Sequence, residues 1–138
     1  MSIRVSENKD KIKSFLETLK SKQESIAFLE PVDHVALKIP DYPLVIKEPM
    51  DFSKIEKKLE KKEYEFVEQV LDDVQLIYDN CMLYNEDNSD LFQFALRLEA
   101  FTKKEVVKQF GTSVKYGQKS KAWEELQNQR KELEEFDE

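Results

Sequence analysis

All four prolines of the chain, Pro31, Pro40, Pro43 and Pro49, lie in a single stretch between two helical patterns. Proline has no amide proton, and its ring clashes with the preceding turn, so no regular helix can run through residues 24–51. A connection of this length is unusual in a small domain and is normally functional or disordered. Disorder fits poorly, because the same stretch carries Ile26, Phe28, Leu29, Val32, Val35, Leu37, Ile39, Tyr42, Leu44, Val45, Ile46 and Met50. Disordered segments lack that apolar content. The sequence therefore predicts a long, packed, irregular loop with its own contacts to a core.

Four amphipathic patterns flank this loop. The first, from about Ser6 to Lys22, places Ile12, Phe15, Leu16 and Leu19 at i, i+3, i+4 and i+7, with Ser6 or Asn8 as the N-cap. The second, about Ser53 to Lys62, is a short helix with Phe52, Ile55 and Leu59 inward and Asp51 or Ser53 as cap. The third, about Glu65 to Tyr84, has the clearest stripe: Val67, Val70, Leu71, Val74, Ile77, Tyr78 and Cys81. A polar stretch, Asn85 to Asp90, leads to the fourth, about Ser89 to Phe110, with Leu91, Phe94, Ala95, Leu98 and Phe101 inward. Four such faces can be buried only against one another, which predicts an all-α four-helix bundle over residues 1–110. Glycine is scarce, with only Gly111 and Gly117, so turn-rich strand folds are disfavoured and no Gly-rich phosphate cradle exists before residue 111. Residues 111–138 read as a polar linker and then a charged fifth helix, roughly Ser120 to Phe136, with Trp123, Leu126 and Leu133 near heptad spacing. Whether that helix packs, dimerises or stands free is left open.

The 138 residues amount to one domain, long enough to bury a real core. With 22 basic and 29 acidic residues the net charge is −7, which argues against non-specific nucleic-acid binding and is compatible with a basic partner; no direct sequence-specific nucleic-acid binding is expected either. A lone cysteine, Cys81, cannot form an internal disulfide and points to a reducing compartment. The sequence has no apolar run long enough to span a membrane and no apolar signal core at its N-terminus. No nucleophile–base set or metal cluster suggests an enzyme or a cofactor. His34, the only histidine, has no evident partner, and Asp72 and Asp73 face different ways on a helix. Lysines 54, 57, 58, 61 and 62 alternate with glutamates as a solvated helix face.

Asn85 lies 18 residues after Val67, five whole turns at 3.6 residues per turn. If the helix reaches that far, Asn85 projects along the inner stripe at the mouth of the bundle, offering an amide with both donor and acceptor. An ordinary helix-terminating asparagine is the competing reading. Glu86, Asp87 and Asp90 sit beside it, either to attract a basic segment or simply to build a polar turn.

The stretch EPVDHVALKIPDYPLVIKEPMDFSKIEKKL (Glu30 to Leu59), followed by DNCMLYNEDNSDLF (Asp79 to Phe92), resembles the bromodomain family. The match is densest at Pro40-Asp41-Tyr42, at Ile46 to Asp51 and at Asn80 to Asn85, and it covers about residues 8–110. The resemblance implies a left-handed four-helix bundle whose long loop joins the first two helices, a nuclear protein, and a site for acetylated lysine, chiefly on histone tails. It implies that Asn85 donates to the acetyl carbonyl and that Tyr42 reaches the same carbonyl through a water. Val32, Leu37 and Ile39 would line the loop wall, Cys81 and Tyr84 the end of the third helix. Leu91 would stand as gatekeeper and Phe28 at the floor. The chain departs from the family at Ile26-Ala27-Phe28, where many members have Trp-Pro-Phe, so a wider and less aromatic rim is expected. The alternative is a helical scaffold or dimerisation module with a vestigial pocket.

Overall fold

The four apolar stripes become helices within a few residues of where their spacing puts them. The computed structural model describes residues 2–114, 116 and 124. The first stripe forms α1, Lys9–Lys20, after a 3-10 turn at Val5–Glu7. Asn8, not Ser6, takes the N-cap position, but its side chain turns back to donate to the Arg4 carbonyl at 2.8 Å. The second stripe forms α3, Phe52–Glu60, and Asp51 is its cap: Oδ2 accepts from the Lys54 amide at 3.1 Å and from the Ser53 hydroxyl. The third is α4, Val67–Tyr84, and the fourth is α5, Asp90–Phe110, capped by the Ser89 hydroxyl, which accepts from the Phe92 amide at 3.2 Å. At the far end of α5 the chain turns out through Gly111, whose φ of +85° suits a residue without a Cβ.

These helices pack as a four-helix bundle. The α4 helix lies along α5, α1 also packs on α5, and α3 on α4. Phe15, Leu19, Phe52, Ile55, Val67 and Tyr78 are completely buried between them. Phe15 meets Phe110 edge-on, with ring centroids 5.5 Å apart. The predicted inner stripe of α4 is buried throughout. Its C-terminal half is buried on the polar side as well, at Gln75, Asp79 and Asn80. Gln75 Nε2 donates to Asp79 Oδ1 at 2.8 Å and to Glu99 Oε2 at 2.6 Å, and the Tyr78 and Thr102 hydroxyls share a hydrogen bond of 2.8 Å. Buried polar groups require such partners, and here they tie α4 to α5.

The N-terminal turn is fastened to the start of α4: the Val5 amide donates to the Glu65 carbonyl at 2.9 Å and the Val67 amide to that of Ile3 at 2.8 Å. The proline-rich stretch is irregular, as expected, but contains a 3-10 turn at Gln23–Phe28 and a one-turn helix, α2, Tyr42–Val45, with Pro43 in its first turn. Past Phe110 the core continues: Val114 is buried and Tyr116 packs against the same cluster. The fifth helix expected at 120–136 lies outside the described residues, apart from the exposed Glu124.

Candidate functional site

Where the long loop returns to the C-terminal end of α4, a second, smaller apolar cluster forms beside the main core. Tyr42, Ile46 and Leu83 are its buried members, with Val32, Ile39, Val45 and Tyr84 packed against them. Two tyrosines give it shape. The Tyr42 and Tyr84 rings meet edge-on at 5.0 Å, the arrangement favoured by the quadrupoles of aromatic rings. The Tyr84 hydroxyl donates to Asp41 Oδ1 at 2.6 Å, a charge-assisted bond that fastens helix to loop. A second tie lies one turn earlier, where Asn80 Nδ2 donates to the Glu48 carbonyl at 2.8 Å.

Asn85 is the first residue beyond α4, with extended backbone at φ −95° and ψ 151°. The helical register therefore carries the chain only to Tyr84, and Asn85 is a helix-terminating residue. Its side chain nonetheless folds back along the inner stripe, where Nδ2 donates to the Cys81 carbonyl at 2.9 Å. One amide proton fixes the orientation of the group. Nδ2 also donates to Cys81 Sγ at 3.6 Å, while Oδ1 accepts from no group among the described residues. Cys81 Sγ in turn donates to the Leu91 carbonyl at 3.2 Å, so the ends of α4 and α5 are joined at this point. Burial pushes the Cys81 thiol up to about 12, an effect the Asn85 amide partly offsets. Burial likewise pushes the Tyr42 phenol to about 12, with Cys81, Tyr84 and Asp51 adding to the shift. Both groups are neutral hydrogen-bonding groups at physiological pH.

The structure brings Tyr42, Val32, Ile39 and Tyr84 together in this cluster, and Cys81 and Asn85 adjoin it. Phe28 lies deeper, in the main core, edge-on to Tyr78 at 6.4 Å. Leu37 and Leu91 are not buried: they are 62 % and 38 % exposed, the first on the outer loop and the second in the opening turn of α5. Ile26, in place of an aromatic residue, is 68 % exposed beside the buried Phe28. Sequence reasoning passed over Leu83, Ile46, Asp41 and Asn80. Leu83 falls off the α4 stripe and is buried by the loop, which no helical period registers.

The sequence agrees with this geometry. The model of the family described as Bromodomain matches residues 12–97. The chain is 46 % identical over 78 residues to Bromodomain-containing factor 1 of Candida albicans, covering 56 % of this chain and 11 % of that protein. It is 42 % identical over 76 residues to the SWR1 complex bromodomain subunit bdf1 of Schizosaccharomyces pombe, covering 55 % and 13 %. Protein cbp-1 of Caenorhabditis elegans is 40 % identical over 82 residues, 59 % of this chain and 4 % of that one. The chain thus spans only a small part of the length of the relatives it matches. A helical bundle with this long loop, matched by the family over more than half its length, belongs to the bromodomain family.

Proposed function

We propose that this chain is a binding module that reads acetylated lysine on histone tails or other chromatin proteins, acting in the nucleus. One observation carries the proposal: the half-buried Asn85 amide, oriented by the Cys81 carbonyl and more loosely by its sulfur, beside a cluster lined by Tyr42 and Tyr84. A free lysine ammonium would have to shed its hydration to enter an apolar cleft, at high cost. Acetylation removes the charge and leaves a carbonyl acceptor and a methyl group. The Asn85 donor suits the carbonyl, Val32 and Ile39 suit the methyl, and selectivity comes from attraction and rejection together. The exposed carboxylates of Glu86, Asp87 and Asp90 favour a basic peptide around the modified residue. The membership of one relative in the SWR1 complex supports the chromatin setting. The Cys81 thiol and the Tyr42 phenol, held neutral by burial, suit hydrogen bonding to a ligand and not nucleophilic attack.

An array of acetylated and unmodified histone-tail peptides tests the reading. At least one acetylated peptide should bind, while its unmodified counterpart binds at least tenfold more weakly. Equal binding of both forms would leave the scaffold alternative in its place. Affinity should be modest, because a site gripping one side chain buries little area.

A further inference from the structure

On another side of the bundle, between α1 and α3, lies a cleft of about 610 Å³ that the acetyl-lysine reading does not use. Its floor is apolar, made by Val5, Ile12, Leu16, Leu59 and Tyr64. The N-terminal turn, fastened to Glu65 and Val67, contributes Val5 and Ser6 to its lining, and the Lys20–Glu56 ion pair spans α1 and α3 across it. A cleft of this volume is the size that small organic molecules occupy. The rim sets the charge. Four lysines and three glutamates line the cleft, and the Lys20–Glu56 pair neutralises itself, leaving Lys9, Lys13 and Lys62 against Glu17 and Glu60. That surplus of one positive charge stands on a chain of net charge −7. The three lysines are exposed and free of ion pairs among the described residues.

We propose that this cleft is a second ligand site, for a compact amphipathic organic monoanion, with the apolar body on the Leu16–Leu59–Tyr64 floor and the anionic group at Lys9, Lys13 and Lys62. The site is independent of the acetyl-lysine reading and stands or falls separately. The test uses the full chain and 8-anilinonaphthalene-1-sulfonate, an aromatic monoanion whose fluorescence rises on leaving water. One saturable site is expected, together with a rise in melting temperature, because a ligand bound only to the native state stabilises it. The Lys9→Glu/Lys13→Glu double variant should bind at least tenfold more weakly. Both positions are exposed and near the N-terminus of α1, where acidic residues suit the helix dipole, so the fold is retained. N-phenyl-1-naphthylamine, which lacks the sulfonate, should bind wild type and the double variant alike. An acetylated peptide should not displace the sulfonate. Equal sulfonate affinity in the double variant, displacement by the acetylated peptide, or a lowered melting temperature would each overturn the proposal.

Discussion

Asn85 Nδ2 donates to the Cys81 carbonyl at 2.9 Å and to the Cys81 sulfur at 3.6 Å, and the proposed chemistry has an acetyl carbonyl take the place of the longer, weaker contact. Asn85→Ala removes that donor. Leaving a desolvated acceptor unpaired costs about 1–3 kcal/mol, an expected 5- to 150-fold loss of acetyl-peptide affinity by calorimetric titration. The fold should persist, since the residue is only half-buried and ends a helix. Asn85→Asp is a stricter test, because an acceptor-only carboxylate repels the acetyl oxygen; it should bind no better than Asn85→Ala. Cys81 yields a second prediction. With its thiol pushed from 9.0 to about 12 by burial, the thiolate is scarce at neutral pH, and alkylation by iodoacetamide at pH 8 should run at least ~100-fold slower than for a free cysteine. Unfolding should restore the ordinary rate. The same shifts set an alkaline limit on stability. Cys81 and Tyr42 both bind their protons more tightly when folded, so their contribution is full below about pH 8, where both are largely protonated even when unfolded. It is lost as pH rises through the folded values near 12. Urea midpoints should therefore fall between pH 9 and 12. The five-turn register presumes a helix running to Asn85, and α4 ends at Tyr84, so the family resemblance and not helical spacing singles out Asn85. The Tyr84–Asp41 bond was not legible, because a contact between positions 43 apart leaves no local pattern in the sequence.

At the scale of elements, the helices were legible because burial on one side imposes a period, and Val67 through Cys81 kept it. The burial of Gln75, Asp79 and Asn80 was not legible, because a stripe assumes one covered face, and the C-terminal half of α4 is covered by α5 and by the loop. The prolines marked the loop as non-helical but said nothing of how it is held. It is held at Asp51 and Asn80. Asp51 is buried and caps α3, and Asp51→Ala should cost about 1–2 kcal/mol, read as a lower urea midpoint. Asn80→Ala removes the tie to the Glu48 carbonyl, leaving that carbonyl without its amide donor. The loop wall bearing Val32, Ile39 and Tyr42 should then be less well positioned, so acetyl-peptide affinity falls with no contact to the peptide lost. Hydrogen exchange in residues 30–50 should rise with it. Unchanged exchange would mean that Tyr84–Asp41 holds the loop alone.

At the scale of the whole molecule, the apolar stripes alone place the end of the bundle at Phe110, whereas the folded core runs on. After Gly111 turns the chain, Val114 is 6 % exposed and Tyr116 packs on the core, its hydroxyl near Tyr78 and Thr102 and pushed well above the usual phenol range by burial. Two apolar residues separated by polar ones make no periodic signal, which is why only the fold reveals them. Their contribution follows from burial: a buried valine is worth about 1.5 kcal/mol or more, and a partly buried tyrosine adds a comparable amount. A chain ending at Phe110 should thus lose about 2–4 kcal/mol relative to one ending at Tyr116. At roughly 4 °C per kcal/mol for a domain of this size, that is a fall in melting temperature of about 8–16 °C. A chain ending at Tyr116 keeps both residues, so the difference between the two truncations isolates their contribution. Neither Val114 nor Tyr116 belongs to the cluster around Tyr42, so acetyl-peptide affinity at low temperature should be the same in all three proteins. Equal melting of the 110 and 116 truncations would show that Val114 and Tyr116 rest on the bundle without stabilising it. A loss of peptide affinity confined to the shorter chain would instead show that the far end of α5 helps to set the site where α5 begins.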